Sequence, residues 1–145
     1  MPKHWASRAI MDVGDPSAGG FSAAQIASSL PMPLLLVGSE LQIVFVNPAA
    51  EQFFDSGAGL LLRQRLSDLA PFGSPLLQLV AQARERNASV SERNVDLTTP
   101  RHGERIADVI ATPLPEPEDA IVVLLQERSL AQRIDRQLVH RGAVR

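Results

Sequence analysis

Apolar and polar positions fall into blocks whose period changes along the chain. Up to Gly20, charge, Pro and Gly mix without any period, the pattern of a weakly ordered arm over residues 1–20. Ser22 then stands three residues before Gln25, a capping box, and Ala23, Ile26, Ala27 and Leu30 follow at helical spacing. This predicts a short amphipathic helix ended by Pro31. Two apolar runs come next, at 34–37 and 42–46, joined by Gly38-Ser-Glu40, a hairpin signal. Asn47 followed by Pro48 opens a helix to Phe54 whose apolar face is Ala50, Phe53 and Phe54. Gly57-Ala-Gly59 interrupts it. Leu66 and Leu69 predict one or two helical turns stopped by Pro71. Ser74 and Pro75 open a longer helix with the stripe Leu76, Leu79, Val80 and Ala83, and Asn87 stops it.

Three strands are predicted in the second half, at 91–98, 104–114 and 120–126. They are separated by a turn at 99–103 and an acidic turn, Pro115-Glu-Pro-Glu-Asp119. Residues 127–145 return to helical spacing with Leu130, Ile134 and Leu138. The order predicts an α+β layer pair: a five-stranded antiparallel sheet with helices on one face, an N-terminal capping helix and a C-terminal exit helix. The runs 34–37 and 120–125 are apolar at every position, so both sheet faces need cover. Helices between the strands cover one face. The stripe of Ile26 and Leu30 covers part of the other, and a second copy of the chain completes it. A homodimer is expected, with Ile26, Leu30, Leu130, Ile134 and Leu138 as the dimer and signal-relay residues.

Composition narrows the chemistry. The chain has no cysteine, which excludes disulfides, Cys-based zinc sites, Cys nucleophiles and a thiol–flavin adduct. A formal net charge of −2 gives no global electrostatic case for nucleic acid. No apolar run approaches the roughly 20 residues of a membrane span. The first fifteen residues lack the apolar region of a signal peptide. No membrane partner is expected, and the cytoplasm is the default location.

The predicted order is that of the PAS fold. The Val46-Asn-Pro-Ala-Ala-Glu-Gln-Phe-Phe54 segment resembles the second strand and first helix of PAS domains. The stretch from Gln126-Glu-Arg128 through Arg133-Ile-Asp-Arg-Gln-Leu-Val-His-Arg-Gly142 resembles the exit helix of nitrogen-regulation sensor kinases of NtrB type, and the opening at 33–46 is similar to theirs. The resemblance implies a PAS domain over 21–126, followed by an exit helix and linker over 127–145. It implies a parent histidine kinase with a cognate response regulator and a PII-type signal protein as partners. That family carries its phospho-accepting His in an H-E-[ILV]-K-N-P motif, followed by an ATP-binding domain. Neither occurs before Arg145, so these residues alone are not expected to be an enzyme.

Individual residues fit a sensory module better than a catalyst. His140 is followed by Arg141-Gly142 and not by the acceptor motif, so it reads as a linker residue. His102 lies in a polar turn, His4 in the arm, and the helix from Leu76 to Asn87 holds no His where a PAS haem ligand would stand. No cofactor and no metal are expected. Phe45, Phe53, Phe54 and Phe72 read as core. Two residues are candidates for ligand binding. Asn47 caps a helix, with ligand contact as the alternative. Asp108 lies mid-strand, on one side with Ile106 and Ile110, opposite Ala107, Val109 and Ala111. Facing inward it would be a pocket group needing a partner; facing outward it would be solvated. The alternation does not decide between them. Two rival functions remain: a PAS input domain of a transcription activator or nucleotide cyclase, and a small-ligand module using Asp108, Asn94 and Gln42.

Incubation of the chain with labelled ATP and Mg²⁺ is expected to leave it unlabelled. Acid-labile label on His140 would contradict the reading of its surroundings.

Overall fold

The computed structural model describes residues 20–100, 103–115 and 119–128. The expected arm, most of the expected exit helix with Leu130, Ile134 and Leu138, and all three histidines lie outside the described residues.

Local chemistry sets most element ends. Helix α1 (Ala23–Ser29) starts at the expected capping box: Ser22 Oγ accepts the Gln25 N–H at 3.1 Å and Gln25 Oε1 accepts the Ser22 N–H at 2.9 Å. Strands β1 (Leu34–Val37) and β2 (Ile43–Val46) form the expected hairpin. At Gly38 in its turn a Cβ would come within 2.5 Å of the Gln42 side-chain amide, which would have to move aside. Helix α2 (Pro48–Phe54) has Asn47 as its cap and ends on Asp55 in the left-handed region. Gly57 then caps a further short helix, α3 (Ala58–Leu61), so the Gly57-Ala-Gly59 interruption is also a start. The Glu51 carboxylate accepts the Ala58 N–H at 2.8 Å and joins the two. Leu66–Leu69 form a single 3₁₀ turn.

The long helix α4 (Leu76–Arg86) differs from expectation at its start. Pro75 is itself the cap residue, and Ser74 Oγ reaches only the Leu76 N–H, at 3.4 Å. The C-terminal stop is as expected, with Asn87 at φ 50°. Phe72 is a correction, because it is fully exposed rather than core. The Ser74 N–H donates to Pro71 O at 3.0 Å, closing a tight turn with Gly73 at φ +86°, and this puts the ring at the tip of the turn. Phe45 is half-buried, while Phe53 and Phe54 stack edge-to-face in the core.

Strands β3 (Val90–Asp96), β4 (Ile106–Pro113) and β5 (Ile121–Glu127) complete an antiparallel sheet of order β2-β1-β5-β4-β3. The two runs that are apolar at every position, β1 and β5, are therefore the adjacent inner strands. Helix α4 packs across β3, β4 and β5. The β4 residues beneath the helices are the small ones, Ala107, Val109 and Ala111, all fully buried. Arg84 of α4 braces this layer, donating through Nη2 to the carbonyls of Gly38 at 3.1 Å and Asp119 at 2.9 Å, in the turns that follow β1 and precede β5. One sheet edge is partly closed, since the Ile43 N–H donates to Gln64 O at 3.1 Å. The other edge, β3, is exposed from Ser91 to Asn94. It carries charge and a bulge between Glu92 and Val95, both of which deter pairing with another chain.

Asn47 joins four segments and is 0% exposed. Its Oδ1 accepts the N–H groups of Leu34 and Ala50, each at 2.9 Å. Its Nδ2 donates to the carbonyls of Ala27 and Met32, each at 2.9 Å. One carboxamide therefore ties α1, the Pro-rich linker, β1 and α2 together with its full hydrogen-bonding capacity. Asn47→Ala leaves four backbone groups without this partner and removes a helix cap. It is expected to cost about 3 kcal/mol or more, read as a lowered urea midpoint with the fold retained in mild conditions.

Candidate functional site

The described part of β5 leads to the place where the chain leaves the sheet, and three strands converge there. The register pairs Asp108 of β4 with Gln126 of β5. Strand period 2 then puts Arg128, two residues on, diagonally across from Asp108 on the same face. The Asp108 Oδ2 accepts Nε of Arg128 at 2.9 Å and also its Nη2. The Oδ1 accepts the Asn94 N–H at 3.0 Å. Asn94 is the left-handed residue of the β3 bulge, at φ 55°. The Arg128 N–H donates to Ile106 O at 2.7 Å. Exposure of the two side chains is low, 18% for Asp108 and 12% for Arg128, so the pair is only partly screened by water.

This arrangement settles which way Asp108 points. Ala107 and Val109 are in the core cluster, so Asp108 faces the opposite side of the sheet, with Ile106 and the exposed Ile110. There it joins the bulge on β3 to the last described residue of the chain. The partner was missed from sequence because Arg128 lies beyond the expected end of β5 at 126. Only the β4–β5 register, which sequence does not specify, makes it a neighbour. Asn94 was named as a weak polar candidate, and it is the backbone N–H of its bulge, not its side chain, that meets Asp108. Asn47 is not near this cluster in the hydrogen-bond network, and its side chain is occupied entirely by backbone.

The same outer face carries a band of apolar groups. Leu36, Phe45 and Val122 are in register across β1, β2 and β5, and Leu34, Leu124 and Ile110 lie beside them. Leu36 is only 4% exposed yet stands outside the core cluster, while Leu34, Phe45, Val122 and Leu124 are half-buried. Helix α1 has no buried residue. Ile26 is 53% and Leu30 38% exposed, and Phe21 just before the helix is also exposed. The two described relay candidates thus lie on an uncovered surface of the single chain. Among the described residues no group of His, Asp and Glu is arranged to hold a metal ion, and no helix is long and apolar enough to cross a membrane.

A family model described as PAS fold matches residues 23–128. The chain is 42% identical over 121 residues to the sensory histidine kinase/phosphatase NtrB of Rhizobium meliloti, a match covering 83% of this chain and 32% of that protein. It is 36% identical over 118 residues to NtrB of Azospirillum brasilense, covering 81% of this chain and 30% of that one. The chain therefore spans about a third of the length of the curated relatives it matches. Its fold is similar to the crystal structure of the PAS domain of nitrogen regulation protein NR(II) from Vibrio parahaemolyticus. That likeness has a TM-score of 0.64 at 21% identity and covers 72% of this chain and 96% of the other.

Asp108→Asn keeps an acceptor for the bulge but leaves the Arg128 guanidinium without its counter-charge. A loss of about 1–3 kcal/mol in urea unfolding is expected, with faster hydrogen exchange at the Arg128 amide. Asp108→Ala also strands the Asn94 N–H and is expected to cost more than Asp108→Asn. Equal and negligible effects would mean that the pair does not anchor the strand end.

Proposed function

Because this chain belongs to the PAS fold family, we propose that it is the sensory module of a nitrogen-regulation histidine kinase of NtrB type, a dimer that passes its state through the segment after Arg128. The observation that carries the reading is the Asp108–Arg128 pair. It fixes Arg128, the residue that follows β5, to β4 and, through Asn94, to the bulge on β3. No Gly or Pro separates Leu125 from Leu138 in the sequence, as a stiff connection would require. A change in how β3, β4 and β5 pack would be felt as a change in direction of the departing chain, and a two-state output would respond to that bias.

Dimerisation is the second element of the proposal. The apolar band around Leu36 and the uncovered stripe of Phe21, Ile26 and Leu30 supply a surface that a second copy can close by two-fold pairing. Leu130, Ile134 and Leu138 are too short a stripe to pair alone and would pair when the domains hold them close. In the longer protein, the kinase activity, the response regulator that receives the phosphoryl group, control by a PII-type protein and a cytoplasmic location all belong to the same proposal. The relatives' description as sensory histidine kinase/phosphatase supports the kinase part of it.

Light scattering over a dilution series tests the dimer. The unaltered chain is expected to be dimeric at micromolar concentration. Ile26→Glu with Leu30→Glu is expected to give a folded monomer, since neither side chain belongs to the core. An unaltered chain that stays monomeric at high micromolar concentration would overturn the dimer. A tandem of this chain with its kinase core tests the relay: Asp108→Asn should change autophosphorylation, and an unchanged rate would overturn transmission through the pair.

A further inference from the structure

A groove of ≈ 380 Å³ lies at the other end of the sheet layer from the α4 brace, between the Pro31–Pro33 linker, helix α2 and the end of β5. Its size is within the range of small-molecule sites, roughly 300–1,000 Å³. The core side chains Phe53 and Leu125, both buried, are part of its lining. Arg105, Glu127 and Gln52 are the polar residues that line it on the helix side of the sheet.

Two features of these groups are unusual. Arg105 is held in place: its Nε donates to Phe53 O at 3.1 Å and its Nη1 to Glu104 O at 2.9 Å, while its Nη2 has no partner among the described residues. The Glu127 carboxylate lines the same groove and has neither hydrogen bond nor ion pair among the described residues. A cation and an anion thus share one groove without pairing. The side-chain amide of Gln52 is also without a partner among the described residues.

The geometry points to a site for a free α-amino acid, bound as a zwitterion across Arg105 and Glu127. Arg105 would take the carboxylate through the N–H groups that it does not spend on the protein. Glu127 would take the ammonium group. A plain carboxylate would meet repulsion from Glu127, and a plain amine would meet repulsion from Arg105, so the pair selects for a molecule carrying both charges. Gln52 offers a donor and an acceptor to a polar side chain. This inference goes beyond the relay and dimer reading and does not rest on it.

The test is titration of the full chain, followed by amide chemical shifts, with three probes: L-serine, N-acetyl-L-serine and L-serinamide. L-serine is expected to bind in the millimolar range and to move the amides of Phe53, Leu125 and Gln126, with the two blocked probes at least about tenfold weaker. Glu127→Gln, at an exposed side chain without partners, is expected to lower L-serine affinity about tenfold and to abolish most of its advantage over N-acetyl-L-serine. Arg105→Gln should abolish binding of L-serine. If that variant unfolds because it loses its brace on α2, Glu127→Gln still decides. Absence of saturable shifts with L-serine up to about 50 mM would overturn the site, as would equal affinity for all three probes or shifts confined to other parts of the chain.

Discussion

A buried carboxamide has two lone-pair directions and two N–H bonds to satisfy, and at Asn47 all four are met by backbone from separate segments. The side chain sits where β2 ends and α2 begins, and its own N–H donates to Leu34 O at 3.2 Å. Leu34 therefore meets Asn47 twice, once through backbone and once through the side chain, and the ladder of β1 is extended across the turn. Asn47 Nδ2 also donates to the carbonyls of Ala27 and Met32, so α1 and the proline linker are held to the sheet although α1 buries no side chain. Hydrogen bonding, more than apolar burial, places the N-terminal helix.

That placement leaves the apolar stripe of α1 open, and the outer sheet face carries an apolar band as well. The two features have one physical origin. An antiparallel sheet can leave one face to water, but β1 and β5 carry apolar side chains on both faces while the large helices cover only one. The helix side is filled by large residues from β1, β5 and α4 and by small residues from β4. On the far side Leu36, Phe45, Val122 and Leu124 remain, and they are the groups that a partner chain would cover in the proposed dimer.

The Asp108–Arg128 pair adds a polar anchor at one end of that band. Its low exposure strengthens the attraction relative to a surface pair, and the Asn94 N–H satisfies the second carboxylate oxygen. A bulge, an ion pair and a strand end are thereby made into one unit.

Sequence alone determined the features that depend on neighbours within a few residues. The capping box at Ser22 and Gln25, the Asn47-Pro48 helix start, the Asn87 stop and the strand positions are all local choices of hydrogen bond and backbone angle, and each was legible. The uniform apolarity of β1 and β5 likewise marked strands with apolar groups on both faces, of which the chain's own helices cover one. Tertiary structure alone decided the rest. Ala107, Val109 and Ala111 face the core although Ile106 and Ile110 are larger, because α4 packs over that side and needs small residues there. Phe72 is exposed because a turn carries it outward, whatever its hydrophobicity. Arg128 meets Asp108, and Arg105 shares a groove with Glu127, only because strand register brings together residues about twenty apart. Register depends on pairing across the whole sheet, and no local pattern encodes it.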